Sequence, residues 1–266
     1  MGIYYTGKKI WITGATSGIG EALALEFAKL NTVLILSGRR QEELDRVALL
    51  CKQLGSVAYT IPFDLSDAAE IEKAANNVLA DYKRIDILVN NGGISQRSLV
   101  IDTRIEIDRK VMEIDFFSGV ILTKKVLPEM VKAGFGHIIV ISSITGVFGF
   151  PLRSAYAAAK HAMHGFYETL WAELHEKGIN VTIVCPGRVN TNVSLNAITE
   201  TGAAHAIMDH DINKGISPQK CATIIIKAVQ KRKKIVYIAG KEMLMVYFKR
   251  YIPWIFYKLV SKVKPS

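Results

Sequence analysis

The sequence predicts an α/β protein with a single Rossmann-type, doubly wound parallel sheet and helices on both faces. Short apolar runs alternate with amphipathic stretches of helical spacing, an order typical of a parallel sheet covered on both sides. With 266 residues, half of them hydrophobic, the chain is long enough to bury one substantial core. No repeat or low-complexity linker interrupts the series. The predicted strands are residues 10–12, 33–36, 57–61, 85–89, 137–141, 180–184 and 235–238.

The first predicted strand runs into a glycine-rich turn that opens a helix. The turn spans residues 13–20, and apolar residues at helical spacing follow it. Gly14, Gly18 and Gly20 suit a tight turn, a close backbone approach to a pyrophosphate, and close packing of helix on strand. The free N–H groups at the helix start favour phosphate. A glycine turn without a ligand is the alternative, but the flanking strand and helix favour a dinucleotide-binding βαβ unit.

The second predicted strand ends at Gly38, and Arg39 and Arg40 follow directly. An acidic residue near this point accepts the ribose 2′-hydroxyl of NAD, whereas an arginine accommodates the 2′-phosphate of NADP. No acid is present here, so the sequence favours NADP(H) as the cofactor. A solvated basic loop is the alternative.

A tyrosine and a lysine lie four residues apart in a later helical stretch, residues 155–176. A step of four residues places Tyr156 and Lys160 on the same helix face, one turn apart. A nearby ammonium group stabilises a phenolate and makes a tyrosine a better proton donor and acceptor at neutral pH. Ser143 could hold a carbonyl oxygen in line with the phenol. Taken alone, a tyrosine and a lysine four residues apart are weak evidence for a catalytic site, because solvent-exposed helices often carry such a pair.

Together these motifs resemble those of the short-chain dehydrogenase/reductase (SDR) family, over about residues 7–240, in its NADP(H)-preferring branch. The glycine turn matches TGxxxGxG, residues 90–93 resemble the NNAG turn, and residues 186–191 resemble PGxVxT. The resemblance implies Ser143, Tyr156 and Lys160 as catalytic residues. It implies cofactor contacts from Gly14, Ser17, Gly18, Ile19, Gly20, Arg39, Asp64, Leu65, Asn90, Gly92, Tyr156, Lys160, Val189 and Thr191.

The implied reaction interconverts a ketone and a secondary alcohol by hydride transfer. Ser143 would bind the substrate oxygen, Tyr156 would transfer the proton, and Lys160 would favour the phenolate and hold the nicotinamide ribose. One position departs from the family, since Asp115 stands where many relatives have a catalytic asparagine. An ionised aspartate accepts hydrogen bonds but donates none, so we do not count Asp115 as catalytic. Gly92 likewise replaces the family's alanine.

The composition limits the cellular location and the binding partners that we expect for the protein. The three cysteines are widely spaced and the six histidines lack ligand spacing, so no disulfide frame or metal site is expected. The first strand begins close to Met1, which leaves no room for a secretory signal and favours a cytoplasmic location. The net charge of +10 would suit nucleic acid, but no recognition motif accompanies it, so none is expected as a partner.

The predicted catalytic domain covers residues 1–240, and residues 241–266 form a basic amphipathic tail. Pro253 is expected to divide the tail into two helical pieces. In the second piece an apolar stripe (Phe256, Leu259, Val260, Val263) lies opposite Lys258, Ser261 and Lys262. With Trp254 and Tyr257 beside it, this pattern favours a tail that lies on a membrane surface. Packing on its own domain or on a partner subunit is the alternative.

The segment at about residues 192–216 closes over the substrate in the family. It carries Val193, Leu195, Ile198, Ile207 and Met208, so we expect an apolar pocket. The chain also resembles the branch of the family that includes membrane-associated reductases of steroid and sphingoid-type ketones. Together with the tail, this resemblance implies a hydrophobic carbonyl or alcohol substrate of lipid, sphingoid or steroid type. The alternatives are a 3-ketoacyl reductase acting on an acyl carrier, for which the basic residues 231–234 would suit an acidic carrier, and a non-catalytic NADP(H)-binding protein. The resemblance also implies a homodimer or homotetramer.

Overall fold

Seven parallel strands form one sheet in the computed structural model, which describes residues 2–193, 195–205 and 215–263, with side chains from residue 4 onward. The strand order is β3-β2-β1-β4-β5-β6-β7. The strands are β1 (Lys9–Thr13), β2 (Val33–Gly38), β3 (Val57–Pro62), β4 (Ile87–Asn90), β5 (Gly136–Ile141), β6 (Ile179–Pro186) and β7 (Ile235–Ile238). Each predicted strand is present within two residues at either end. The predicted fold class is confirmed.

Ten α-helices connect and flank these strands within the described ranges. They are α1 (Gly2–Tyr5), α2 (Gly18–Ala28), α3 (Gln41–Gln53), α4 (Ala68–Tyr82), α5 (Ile105–Met112), α6 (Ser118–Lys132), α7 (Ser154–Leu174), α8 (Pro218–Gln230), α9 (Met243–Tyr251) and α10 (Pro253–Val260). A π-helical turn, Glu113–Phe117, joins α5 to α6. A 3₁₀ turn, Ile144–Gly146, follows β5.

Two separate cores cover the two faces of the sheet. Successive side chains of a strand point to opposite faces, so Ile10 and Ile12 enter one core and Trp11 enters the other. Helices α2, α3 and α8 pack on the first face, and α4, α6 and α7 pack on the second. The strands are buried on both sides, which explains why they are continuously apolar in the sequence.

The chain reverses its direction of travel across the sheet beside β1. Strand β1 pairs with β2 on one side and with β4 on the other. Ligands of open α/β sheets bind at such a switch point, outside the carboxyl ends of the strands. The glycine turn follows β1, Arg39 follows β2, Asn90 ends β4 and Ser143 follows β5. The topology therefore places most of the predicted site residues along one edge.

The tail folds back onto the loop that follows β5. As predicted, it breaks at Pro253 into α9 and α10. Val246 and Phe256 are buried against Ile144 and Phe148, with the Phe148 and Phe256 rings 5.6 Å apart. Val260 joins this cluster, whereas Leu259 stays 41% exposed, so the inward face is narrower than the predicted stripe. In the described part of the chain, no helix combines the length and apolarity needed to cross a bilayer.

Phe256→Ala should lower the free energy of unfolding by about 3 kcal/mol, because it empties a buried ring site between α10 and the 144–148 loop. Trp254→Ala is the matched control, since Trp254 lies in the same helix but is 69% exposed, and it should change stability by less than about 0.5 kcal/mol. Chemical denaturation of the two variants measures the difference. Equal losses would contradict the packing of α10.

Candidate active site

The glycine turn after β1 forms a cradle of exposed backbone. Gly14 and Gly18 have φ values of +63° and +59°, which non-glycine residues rarely adopt. A Cβ on Gly20 would collide with the carbonyl oxygen of Gly14. Ser17 precedes α2 without forming a side-chain cap to the helix. Its hydroxyl and the first N–H groups of α2 are therefore free to bind an anion.

Asn91 clamps this cradle to the end of β4. Its amide nitrogen Nδ2 donates to the carbonyl oxygens of Thr13, at 2.9 Å, and Gly14, at 3.1 Å. Its backbone N–H donates to Thr13 Oγ1 at 3.1 Å. Asn91 lies in the turn that resembles NNAG but is not among the predicted site residues. Its place directly after a buried strand was a signal for it.

The neighbouring Asn90 points elsewhere. Its side chain is buried on the α6–α7 side of the sheet, where it donates to Thr123 Oγ1 at 3.0 Å and to Tyr167 Oη at 2.9 Å. A contact from Asn90 to a cofactor would have to come from its backbone. This predicted contact stays a prediction.

Gly92 has a packing reason for lacking a side chain. A Cβ at this position would collide with Cδ1 of Leu65, which occupies the space. The change from the family's alanine is therefore matched by the placement of Leu65. Asp64, just before it, accepts from the backbone N–H and the hydroxyl of Ser66, both at 2.9 Å. These bonds hold the loop after β3 beside the cradle.

Arg39 and Arg40 are exposed directly after β2. Among the described residues, neither arginine takes part in an ion pair. Arg46, on the next helix, is instead bound to Glu21 at 2.8 Å and to Glu43 at 2.9 Å. The two guanidinium groups at the strand end are therefore available to an anionic ligand.

The segment after β6 lies against the same cradle. Val189 is buried and pairs with Ile216 in an isolated bridge. A Cβ placed on Gly18 would be 3.1 Å from Cγ2 of Thr191. The predicted cofactor residues Gly18 and Thr191 are thus brought into close proximity.

Tyr156 and Lys160 lie on one face of α7, as predicted. The Nζ atom of Lys160 is 5.3 Å from the centre of the Tyr156 ring. Tyr156 is half-buried, whereas the Lys160 side chain is only 5% exposed. Nζ donates to the carbonyl oxygen of Ile141, at the end of β5, at 3.2 Å. The ammonium is thus fixed between α7 and the sheet edge.

Ser143 begins the 3₁₀ turn after β5. Its Oγ accepts hydrogen bonds from the N–H of Thr145, at 3.2 Å, and from Thr145 Oγ1, at 3.0 Å. The preceding Ser142 donates to the carbonyl oxygen of Lys160 at 3.3 Å. The Ser143 segment is thereby attached to the turn of α7 that carries Lys160.

A buried carboxylate, Asp115, completes this group. Its Oδ2 lies 3.1 Å from Lys160 Nζ. Burial lowers the pKa of Lys160, but Asp115 and Tyr156 act more strongly in the opposite direction, and the net pKa is above the usual range for lysine. The two neighbouring groups thus favour the charged form of Lys160. The sequence singled out Asp115 as a departure from the family pattern but did not reveal this partner.

Gln96 fixes the start of α7. Its Oε1 accepts the N–H of Ala155 at 2.9 Å, and its Nε2 donates to Ser98 and Thr103, both at 2.9 Å. Arg153 occupies the N-cap position of α7, but its side chain forms no capping hydrogen bond. Nothing in the local sequence pattern indicates this long-range cap.

Fold and site together define a Rossmann-type oxidoreductase, with a dinucleotide cradle and a Tyr–Lys pair at the carboxyl edge of the sheet. The family model for short chain dehydrogenase matches residues 8–201. The chain is similar to dehydrogenase/reductase SDR family member 7B of Xenopus tropicalis, with 40% identity over 98% of this chain and 86% of that protein. It is also similar to SDR family protein 7-like of Drosophila melanogaster, with 41% identity over 96% and 80%.

Solved structures agree with the fold. A short-chain dehydrogenase from Streptomyces avermitilis superposes with a TM-score of 0.81 and 28% identity, covering 97% of this chain and 98% of its own. A short chain dehydrogenase/reductase from Burkholderia phymatum in complex with NAD has a TM-score of 0.83 at 20% identity, over 98% and 97%. The chain belongs to the short-chain dehydrogenase/reductase family.

Proposed function

We propose that this protein is an NADP(H)-dependent oxidoreductase that interconverts a hydrophobic ketone and its secondary alcohol, with Tyr156 as the proton donor and acceptor. The observation that carries the proposal is the placement of the buried Lys160 ammonium group 5.3 Å from the centre of the half-buried Tyr156 ring on α7. A cation in this position stabilises the phenolate that is left when Tyr156 gives up its proton.

The cradle fits a dinucleotide. Two glycines with positive φ, the uncapped Ser17 and the start of α2 offer backbone donors with no side chain in the way. When bound, the nicotinamide dinucleotide supplies or takes up the hydride. Thr191 lies against Gly18 of the turn and would border the bound dinucleotide on that side.

The chain's own residues handle the oxygen and its proton. The Ser143 hydroxyl donates to the substrate oxygen and holds it in place. During reduction Tyr156 gives its proton to that oxygen, and during oxidation it removes the proton. Lys160 remains protonated and stabilises the phenolate left behind.

The preference for NADP(H) rests on the end of β2. Arg39 and Arg40 are exposed there and form no ion pair with other described residues, and no acidic residue occupies the strand end. A 2′-phosphate would give such a guanidinium a charged hydrogen-bond partner.

The surroundings of Tyr156 favour an apolar substrate. Tyr156 packs at the border of a small hydrophobic cluster formed by Ile107, Val111, Ala155, Ala159 and Ile198, with Ile94, Met112 and Phe116 around it. A charged or strongly polar substrate group would lose hydration here without gaining partners. Ile207 and Met208, also expected to line the pocket, lie outside the described residues.

An acyl carrier is a less suitable substrate. The basic residues 231–234 precede β7, so they lie at the amino edge of the parallel sheet, opposite the site. Lys234 also lies over the Trp171 ring, with Nζ 3.3 Å from its centre. A carrier bound to this run would be on the wrong side of the protein to deliver its thioester.

The outward face of the tail suits an anionic lipid surface. While Val246 and Phe256 face inward, the opposite side exposes aromatic and aliphatic side chains: Leu244, Tyr247, Tyr251, Trp254, Tyr257 and Leu259. Lys249, Arg250 and Lys258 lie among them, and Lys249 donates to Tyr257 Oη at 2.8 Å. Aromatic rings beside cations are typical of helices that lie in the headgroup region. These features support the proposal that the protein lies at a membrane surface.

Tyr156→Phe should lower kcat by about 100-fold, because it removes the proton donor, while NADPH binding survives. Turnover is measured by NADPH absorbance on the best substrate from a panel of long-chain, sphingoid-type and steroid ketones. Tyr59→Phe, an exposed tyrosine on β3, is the matched control and should be neutral. A Tyr156→Phe enzyme with near-normal turnover would refute the assignment.

Arg39→Ala should lower kcat/KM for NADPH by about tenfold or more and leave that for NADH nearly unchanged, since a charge-assisted bond to the 2′-phosphate is lost. Lys73→Ala removes an exposed cation on α4 and serves as the control for net charge. Parallel kinetics with both cofactors measure the effect. If the wild type uses NADH as well as or better than NADPH, the cofactor preference is wrong.

Trp254→Ala and Lys258→Glu should each weaken binding to phosphatidylserine-containing vesicles by about tenfold, through lost apolar burial and reversed charge respectively. Substitutions are preferable to truncation because the tail covers Ile144 and Phe148. Co-sedimentation measures binding, with Tyr59→Ala as the control for an exposed aromatic residue elsewhere. Unchanged binding by both tail variants, or equal binding of the wild type to neutral vesicles, would reject the lipid surface.

A further inference from the structure

An ion pair inside the protein joins Lys160 to Asp115. The two atoms, Nζ and Oδ2, are 3.1 Å apart, and the side chains are 5% and 0% exposed. The other carboxylate oxygen, Oδ1, accepts the N–H of Ile94 at 2.7 Å. A carboxylate removed from water in this way is stable only where its charge is compensated.

The backbone around Asp115 is arranged to hold the carboxylate in place. The residue lies in the π-helical turn Glu113–Phe117, a local insertion that is frequent at functional sites. A Cβ on Gly93 would be 3.1–3.2 Å from all three atoms of the carboxyl group, so the loop after β4 passes directly against it. The pair thus connects three elements: the cradle-side loop, the π-helical turn and α7.

We propose that Asp115 is a positioning residue, which holds the Lys160 ammonium beside Tyr156 and sets the pH range in which the phenol exchanges its proton. The proposal rests on the proposed function, because it acts through Lys160 on Tyr156. It assigns to this aspartate a role that an asparagine side chain cannot fill, since an amide carries no charge to pair with the ammonium.

Few charges act on this pair. On Lys160 the titratable groups are Asp115, from the π-helical turn, and Tyr156, from its own helix. Burial raises the pKa of Asp115, and the charge of Lys160 and the Ile94 N–H act against this rise and favour the carboxylate. The loop after β4 and strand β5 contribute only backbone groups, the Ile94 N–H and the Ile141 carbonyl.

The sign of the effect follows from these charges. The ammonium favours the phenolate form of Tyr156, and the carboxylate beside it offsets part of that attraction. Replacing Asp115 by asparagine leaves the ammonium uncompensated. As long as Lys160 stays protonated, the phenolate then forms at lower pH, so proton removal during alcohol oxidation also begins at lower pH.

Asp115→Asn should move the pH of half-maximal alcohol oxidation down by about one unit relative to the wild type. The control is Ser118→Ala, which removes a hydrogen bond from Ser118 Oγ to the Ile114 carbonyl next to the same turn without changing any charge. This control should leave the pH profile in place. The proposal would be overturned if Asp115→Asn left the pH profile unmoved or shifted it upward. It would also be overturned if both variants shifted the profile equally.

Thermal unfolding tests the pair without reference to activity. Asp115→Asn and Lys160→Met should each lower Tm by several degrees, since each leaves one buried charge alone. The double variant should melt above the lower of the two single variants, whereas additive losses would contradict the pairing. A wild type without turnover on any ketone would refute the proposed function, and a working enzyme with an unmoved profile would refute only the role of Asp115.

Discussion

A buried ammonium group is the constraint on which the site depends. Lys160 is almost fully enclosed, and an unpaired charge in that position would be very costly. Its compensation comes from Asp115 in the π-helical turn and from the carbonyl of Ile141 at the end of β5. Helix α7, the sheet edge and the turn between α5 and α6 must therefore all be correctly placed for the buried ammonium to be compensated and held beside Tyr156.

The cofactor side of the site depends on backbone geometry instead. Neither Gly14 nor Gly20 has room for a Cβ, because one at Gly14 would meet the backbone of Gly92 and one at Gly20 would meet the carbonyl oxygen of Gly14. Asn91 ties that turn to the end of β4. The two sides are linked within a few residues, because Gly93 contacts the Asp115 carboxyl group. A change in the loop after β4 would consequently reach both the phosphate cradle and the lysine.

The features that the sequence predicted are those encoded locally. The strands were recognised by continuous apolar runs, the cradle by its glycines between a strand and a helix, and the Tyr156–Lys160 pair by a four-residue step. The features that it did not predict join residues far apart in the chain, such as the cap of α7 by Gln96 and the ion pair of Asp115. A π-helical turn breaks the helical period, so periodicity could not place the Asp115 side chain.

The tail shows why a sequence pattern alone cannot distinguish packing on the protein from contact with lipid. A stripe of apolar residues in a sequence does not tell which of them face inward, because a short helix with aromatic residues on both sides satisfies either pattern. In α10, Phe256 is buried against the protein and Trp254 is exposed to solvent. One face of the helix therefore packs on the domain, while the other remains accessible. The inward face covers the loop that starts at Ser143, so the packing of the tail also supports the segment that carries this predicted site residue.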